Sequence, residues 1–293
     1  MHQFVRAACF IALPLAMIAP ATSSAAEFTA RDLAAEEGKF AAYSVKHGMR
    51  AAFLEFFADP SWLLRPELVD ARKWIGARPD PAIVLDWKSQ ITILSTSGDL
   101  GFSTGPSLVR SKTDPAAPAE HGEFFSVWQK QNGGEWKVYV DHGISHGPTT
   151  TPDALPTTPL VAHDLKAAKS DAATAASNAE RWFVARGLAG YADTITPRTR
   201  LLRDGLLPID GTAAIGEYLK SQQGQWSWTV KMQGTSRADD FAFAVGDYAW
   251  QPKEGSVRKG KYVRVWVRDA TAASPQQWAL AGDVLTPDPV PRN

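Results

Sequence analysis

Two stretches of the chain carry the same landmarks in the same order. The first runs DWKSQITILSTSGDLGFSTG (Asp86 to Gly105), and the second runs SWTVKMQGTSRADDFAFAVG (Ser227 to Gly246). Three identities keep one spacing of 141 residues: Trp87 with Trp228, Asp99 with Asp240, and Gly105 with Gly246. A recurrence of this kind predicts an internal repeat, and it decides how the rest of the chain is divided into elements.

Further matches extend the repeat on both sides of this stretch. WLLRP is echoed by RLLRD, FFSVW by YVRVW, and WKVYVD by WALAGD. At spacings of 138 to 142 residues, these matches pair Arg65 with Arg203, Trp128 with Trp266, and Asp141 with Asp283. The small changes in spacing fall between the matches, where loops absorb insertions. The shared order favours duplication over chance.

A segment rich in proline and threonine separates the two copies. Residues 145–164 contain four prolines and five threonines, which is typical of an extended, semi-rigid linker. We therefore predict a first domain over residues 27–147, a linker over 148–165, a second and more divergent domain over 166–287, and a short tail over 288–293.

Residues 1–26 have the pattern of a secretory signal peptide. Arg6 precedes an apolar run from Ala7 to about Ile18, and small residues lead up to Ala26. The run is short for a membrane span, so we expect cleavage and no span afterwards; an uncleaved anchor is the alternative. Cys9 is the only cysteine, so the mature chain has neither a disulfide nor a thiol nucleophile. We expect a periplasmic or secreted protein that relies on its core for stability.

The charge of the chain is balanced. It has 31 basic and 31 acidic residues, and removal of residues 1–26 leaves 30 minus 31, a net charge of −1. Because there is no basic excess, we expect no nucleic-acid partner.

Each copy is predicted to begin with helices and to continue with strands. In the first copy an alanine-rich helix starts after Thr29 and ends near Gly48, and a short helix, a short strand and a third helix follow. Strands are then expected near 82–96, 100–110, 121–131 and 135–144, and in the second copy near 225–236, 241–251, 258–269 and 276–285. This order predicts an α+β fold, with an antiparallel meander in each copy.

The stretch SGDLGFSTGP (Ser97 to Pro106) is expected to be a hairpin and not a phosphate-binding loop, because no helix follows it. Alternation places Gly101 and Ser103 on one face and Leu100 and Phe102 on the other. We expect the large apolar face to line the interior of the domain. The small face would then allow another sheet, that of the other copy, to approach closely.

Several segments of the first copy together resemble a known family. GMRAAFLEFFAD, LDWKSQITILSTSGDLGFSTGP and FFSVWQKQNGGEWKVYVDHG are similar to a SnoaL-like domain of the nuclear transport factor 2-like superfamily, over about residues 30–146. The second copy resembles the same fold more loosely. The resemblance implies two cone-shaped domains, in each of which a curved antiparallel sheet wraps helices around an apolar pocket. It identifies a fold and not a function, because the superfamily includes isomerases, cyclases, dehydratases and non-enzymatic binders.

Asp141 is the candidate catalytic residue. In WKVYVDHGISH, alternation puts Lys137, Tyr139 and Asp141 on one face and Val138, Val140 and His142 on the other. If Asp141 points into an apolar cone, burial raises its pKa and makes it a usable general base. The alternative is structural, since an aspartate at a strand end also accepts backbone N–H bonds, and Asp283 repeats the position.

The candidate ligand-binding residues are aromatic side chains of the first copy: Tyr43, Phe53, Phe57, Trp62, Trp87, Phe102, Trp128 and Tyr139. Core packing is the alternative for most of them. We expect no cofactor, because no phosphate loop, dinucleotide fingerprint or Ser-His-Asp order stands out. We also expect no metal, because His142 and His146 lack a defined third ligand and the second copy has no equivalent histidines.

Three functions remain open at this level. The first is an exported binding or accessory protein whose cones hold a small apolar or aromatic molecule. The second is a cofactor-independent isomerase, cyclase or dehydratase, which needs two ionisable groups converging in one pocket. The third is a structural pseudo-dimer with filled pockets. In each case the two copies are expected to pair internally, giving a monomer with pseudo-two-fold symmetry.

Overall fold

The computed structural model describes residues 27–149, 153–166, 175–269 and 277–289. The predicted signal peptide over residues 1–26 lies outside this part of the chain, as does most of the predicted tail. Within the described residues, no helix has both the length and the apolar character needed to cross a membrane.

The first half places helices before strands, as predicted. Thr29 caps the first helix through a capping box with Asp32, which satisfies the free N–H groups of the first turn. The elements are α1 (Ala30–His47), α2 (Met49–Phe56), β1 (Phe57–Leu64), β2 (Leu68–Asp70), α3 (Ala71–Gly76), β3 (Ile83–Trp87), β4 (Ile91–Leu94), β5 (Leu100–Ser111), β6 (Glu120–Lys130) and β7 (Trp136–His146).

The second half repeats this order after a linker strand, β8 (Val161–Asp164). A 3-10 turn (Ala176–Asn178) leads into α4 (Ala179–Arg186), and Gly187 caps the end of this helix. The remaining elements are α5 (Ala189–Thr194), β9 (Arg200–Arg203), β10 (Ile209–Asp210), α6 (Gly211–Lys220), β11 (Gly224–Thr235), β12 (Phe241–Pro252), β13 (Arg258–Arg268) and β14 (Trp278–Pro287).

The two sheets have the same strand order. The first runs β2-β1-β7-β6-β5-β4-β8 with β3 also paired to β5, and the second runs β10-β9-β14-β13-β12-β11. Thus β11 of the second sheet takes the place of β3 and β4 together. The predicted α+β fold is confirmed, although each sheet is mixed, because β1 and β9 run parallel to β7 and β14.

Helices cover the inner face of each curved sheet, and we call the two enclosed spaces the first cone and the second cone. In the first cone Phe40 of α1 packs against Trp87 and Trp128, with ring centroids 4.7 and 6.3 Å apart. In the second cone Phe183 of α4 contacts the equivalent rings of Trp228 and Trp266 at 6.0 and 5.3 Å. The same aromatic packing therefore holds the helices against the sheet within each copy.

The outer faces of the two sheets pack against each other. Leu100 and Phe102 of β5 belong to one apolar cluster with Phe241 and Phe243 of β12. The expectation that this large face lines the cone is wrong. The small face points inward instead, because a Cβ on Gly101 would come within 2.4 Å of the Leu33 side chain on α1. Alternation separates the two faces but does not say on which side the helices lie.

The repeated hairpins form reciprocal hydrogen bonds across this interface, in which the aspartate of each hairpin accepts a backbone N–H of the other. Thr96 N–H donates to Asp240 at 2.8 Å, and Arg237 N–H donates to Asp99 at 3.1 Å. These two bonds are related by the pseudo-two-fold axis, because Thr96 and Arg237 occupy equivalent positions. The predicted hairpin is confirmed by the Ser95 N–H bond to the Leu100 carbonyl at 3.0 Å.

The linker contributes a strand that the sequence did not predict. Residues of β8 pair in parallel with β4, so the linker extends the first sheet. Asp164 at its end accepts a hydrogen bond of 2.6 Å from Ala30 N–H at the start of α1. The linker is therefore joined to the first half at both the sheet and the helix.

Candidate functional site

A cavity of about 330 Å³ opens in the first cone, between α1, α2 and the inner face of the sheet. Its apolar wall consists of Phe40, Met49, Phe53, Leu85, Trp87, Val109, Phe124 and Ile144. Its polar groups come from Glu37, Arg65, Ser107, Glu123, Ser126, Asp141, His142 and Ser145. The cavity thus combines an apolar body with several ionisable groups, as ligand sites commonly do.

Asp141 reaches this cavity from β7. It is 8% exposed, and the Ser126 hydroxyl donates to its Oδ1 atom at 2.8 Å. Burial raises the pKa of Asp141 to about 6, although the Ser126 hydrogen bond and the Arg65 charge oppose the rise. Near neutral pH the carboxyl group therefore exchanges a proton easily, which is the property expected of a general base or acid.

A β-bulge in β7 sets the direction of Asp141. Val127 pairs with Val140 and Trp128 pairs with Val138, so Tyr139 is the extra residue. Val138 consequently belongs to the core of the first cone, whereas Val140 packs against the second sheet. The prediction that these two valines share a face is wrong, because a bulge reverses the alternation.

Glu37 is the second ionisable group in the cavity, and sequence reasoning missed it. Its carboxylate is fully buried on α1 and accepts the indole N–H groups of Trp87 and Trp128 at 2.8 and 2.7 Å. Burial raises its pKa to about 7, and the nearby Asp141 charge adds to the rise. The repeat could have indicated this residue, because Glu180 occupies the equivalent position 143 residues later in the matching helix.

Arg65 lines the same cavity and contributes positive charge. Its guanidinium donates to the Leu64 carbonyl at 2.7 Å, as the equivalent Arg203 does to the Leu202 carbonyl at 2.9 Å. Arg203 additionally forms an ion pair with Asp283 at 2.7 Å. The repeated arginine thus pairs directly with a carboxylate in the second half, whereas Arg65 acts on Asp141 through its charge.

In the second cone an arginine lies between the matching carboxylates. Arg264 occupies the position of Ser126, two residues before the matched tryptophan of each copy. Its guanidinium is fully buried, with N···O distances of 2.7 Å to Glu180 and 3.2 Å to Asp283. It also packs over the rings of Phe183, Trp228 and Tyr262, between 3.8 and 4.3 Å from their centroids.

This arginine reverses the electrostatics of the second cone. Burial alone would raise the pKa of Asp283, but the charges of Arg203 and Arg264 outweigh it and hold that pKa below its usual value. Asp283 therefore stays ionised, whereas Asp141 does not at mildly acidic pH. Where the first cone has Ser126 and open space beside two protonatable carboxyls, the second cone has Arg264 within an ion-pair network that also includes Arg203.

The predicted ligand-binding aromatics fall into three places. Phe53 and Trp87 line the cavity, and Phe57 and Trp128 belong to the surrounding core. Tyr43 packs at the edge of the same core, beside His47, and Trp62 lies on β1. Phe102 and Tyr139 lie in the cluster between the sheets. Ligand binding by any of them stays a prediction.

The histidines considered for a metal serve other contacts. His142 Nε2 lies 2.9 Å from the Thr286 hydroxyl of the second half, and His146 Nε2 lies 3.7 Å from Glu123. Burial and the Arg65 charge lower the pKa of His142 to about 3. Over the described part of the chain, no group of three or more His, Cys, Asp or Glu side chains is placed to hold a metal ion.

Solved structures similar to this chain each cover between 37% and 41% of it. An NTF-2 like protein of unknown function from Shewanella oneidensis has 15% identity and a TM-score of 0.27, covering 37% of this chain and 90% of its own. A ketosteroid isomerase-like protein from Erwinia carotovora has 16% identity and a TM-score of 0.30, covering 39% and 91%.

A SnoaL-like polyketide cyclase, so described, from Jannaschia has 10% identity and a TM-score of 0.30, covering 41% of this chain and 92% of its own. No protein-family model matches the chain, and no curated protein matches it in sequence. The strand order of each half confirms the α+β fold predicted from the sequence.

Proposed function

We propose that the protein is an exported binding protein that holds one small molecule in its first cone. The ligand would have an apolar body, matched to the aromatic wall, and one uncharged polar group placed near Asp141. A cavity of about 330 Å³ accommodates a compact molecule of this kind. Export rests on the signal-peptide pattern of residues 1–26.

The difference between the two cones carries this proposal. Arg264 bridges Glu180 and Asp283 in the second cone, whereas Ser126 leaves the equivalent space in the first cone open. If the fold needed only a filled interior, an arginine at this position would fill it in both halves. The open first cone, with its two buried carboxyls, therefore favours a ligand site over a purely structural pseudo-dimer.

A thermal-shift screen tests the proposal. Steroid-like, polyketide-like and aromatic compounds, each in charged and uncharged forms, would be added to the full chain. A bound ligand raises the melting temperature with its concentration, because it binds only the folded state. We expect uncharged ketones and alcohols to give the largest shifts. The absence of a shift from every compound would contradict a ligand-binding first cone.

Proton transfer on the bound molecule is a second candidate function. It is favoured by one observation, namely that Glu37 and Asp141 share the cavity with pKa values raised to about 7 and about 6. Two carboxyls of this kind can act as acid and base on a carbonyl compound without a cofactor.

Hydrogen–deuterium exchange at the carbon next to a ligand carbonyl, followed by NMR, separates this candidate from simple binding. The wild-type protein should accelerate the exchange, and Asp141→Asn should slow it by roughly 10²- to 10⁴-fold while ligand affinity changes little. Exchange no faster than in buffer would leave binding as the function.

A further inference from the structure

A second cavity, of about 400 Å³, lies between the two halves and shares no lining residue with the first cone. One wall comes from β4 and from the linker up to β8, and the other comes from β14 and the segment before β9. Both halves and the linker therefore contribute to it. A cavity built in this way exists only in the duplicated chain.

Small residues on β14 open this space. Ala279 and Ala281 face the cluster between the sheets, where β4 contributes Ile91 and Ile93. Elsewhere in that cluster, phenylalanines from both sheets fill the interface. The alanines leave a gap with a mostly aliphatic wall, which favours an apolar occupant.

The charged groups around this cavity neutralise one another. Arg200 forms a bidentate pair with Asp210, at 2.8 and 2.9 Å, and donates to Gln90 at 2.6 Å. Arg198 forms an ion pair with Asp269. An ionised ligand would have to compete with these pairs, so the wall favours an uncharged molecule.

His163 of β8 lines the cavity and supplies a polar anchor. Its imidazole makes no hydrogen bond with any residue that the structure describes. Burial and the Arg198 charge lower its pKa, so the ring is neutral at pH 7. A neutral imidazole presents one N–H donor and one acceptor nitrogen, and both match a hydroxyl group, whereas the donor alone matches a carbonyl.

We propose that this inter-half cavity is a second binding site, for an uncharged apolar molecule that carries one hydroxyl or carbonyl group. The apolar part fills the gap beside Ala279 and Ala281, and the polar group pairs with His163. The site does not depend on a ligand in the first cone, because different residues line the two cavities.

The test uses 2-naphthol as the probe and the full chain with Ser126→Arg, which closes the first cone. Isothermal titration should show one 2-naphthol bound. Ala281→Phe in this background should weaken binding by at least about tenfold, because the new ring occupies the gap. His163→Phe should weaken the binding of 2-naphthol by about two- to tenfold. It should leave the binding of naphthalene, which has no hydroxyl, unaffected.

Two controls keep the test decisive. Naphthoate, which is ionised, should bind much more weakly than 2-naphthol. Val161→Trp narrows the cavity from the linker side at a half-exposed position, so it replaces Ala281→Phe if that variant does not fold. The proposal is overturned if the Ser126→Arg protein binds no 2-naphthol, or if neither cavity-filling variant weakens the binding.

Discussion

At the residue scale, the interiors of the two cones differ at the position of Ser126 and Arg264. Ser126 hydrogen-bonds one carboxyl, whereas Arg264 joins two carboxylates in the equivalent space. A buried arginine of this kind neutralises both acids, and a serine leaves them protonatable and beside open space. Arg264 thus adds to the charge of Arg203 in holding the pKa of Asp283 down, whereas burial raises the pKa of Asp141 beside Ser126.

Asp141 should make the stability of the protein depend on pH. Its pKa is about 6 when folded against 3.8 ordinarily, so the folded protein binds more protons than the unfolded chain between these values. The free energy of unfolding should therefore fall as the pH rises from 4 to 7, by at most about 3 kcal/mol from this group. Asp141→Asn should remove that part of the fall. Urea denaturation of both proteins at pH 4 to 8 measures this difference. If the free energy of unfolding fell with pH by the same amount in both proteins, the result would contradict a buried Asp141.

Arg264 should be needed for stability in a way that Ser126 is not. Arg264→Met should destabilise the protein by about 3 to 5 kcal/mol, because Glu180 loses its ionic partner inside the protein and Asp283 keeps Arg203 as its one ion-pair partner, beside the Tyr191 hydroxyl. Ser126→Ala should cost about 1 kcal/mol, since it removes one hydrogen bond to Asp141. Chemical denaturation at pH 7 compares them, and equal costs would argue against the ion-pair network.

At the element scale, the repeated hairpins join the halves. In each hairpin a serine hydroxyl donates a hydrogen bond to the aspartate of the same turn. Ser95 donates to Asp99 at 3.1 Å, and Ser236 donates to Asp240 at 2.7 Å. Each aspartate then accepts an N–H bond from the other hairpin. The turn position before each aspartate is left-handed in both, with φ of 58° at Gly98 and 56° at Asp239, and aspartate tolerates this better than most residues.

Asp240→Ala should destabilise the protein by about 1 to 3 kcal/mol, because Thr96 N–H then loses its partner at the interface. Asp99→Ala should cost less, because Asp99 is only partly buried. Thermal or urea unfolding measures both. Equal and negligible effects would mean that the hairpins do not hold the halves together.

Much of this organisation was predictable from the sequence, and the failures have physical reasons. The recurrence of Trp87, Asp99 and Asp141 indicated the duplication, the hairpins and a candidate acid. The bulge at Tyr139 could not be predicted, because alternation assumes a regular strand. Glu37 was missed because it follows Glu36 in an alanine-rich helix, and a pair of glutamates there looks solvent-exposed. Its burial depends on two tryptophans that lie far away in sequence.

At the scale of the whole molecule, duplication brings the two sheet faces together within one chain. The cluster between them contains leucine, phenylalanine and valine side chains from both halves, including Phe102, Phe125, Phe241 and Phe243. A single copy would expose this face to water. Pairing inside the chain covers it.

The chain should therefore be a monomer in solution. Size-exclusion chromatography with light scattering should give the mass of one chain at micromolar concentration. The control is the first half alone, residues 27–166, which exposes its sheet face and should self-associate or precipitate. A stable dimer of the full chain would contradict internal pairing as the final assembly.

The central claim is that Ser126 keeps the first cone open for a ligand. Its most direct test is the affinity, by isothermal titration, of the best compound from the thermal-shift screen for three proteins: wild type, Ser126→Arg, and Ser227→Arg, a control at an exposed strand position of the second half. We expect Ser126→Arg to weaken binding by at least about a hundredfold and Ser227→Arg to leave it unchanged, because only the first arginine enters the cone between Glu37 and Asp141. Equal affinity of a folded Ser126→Arg protein and the wild type would contradict it.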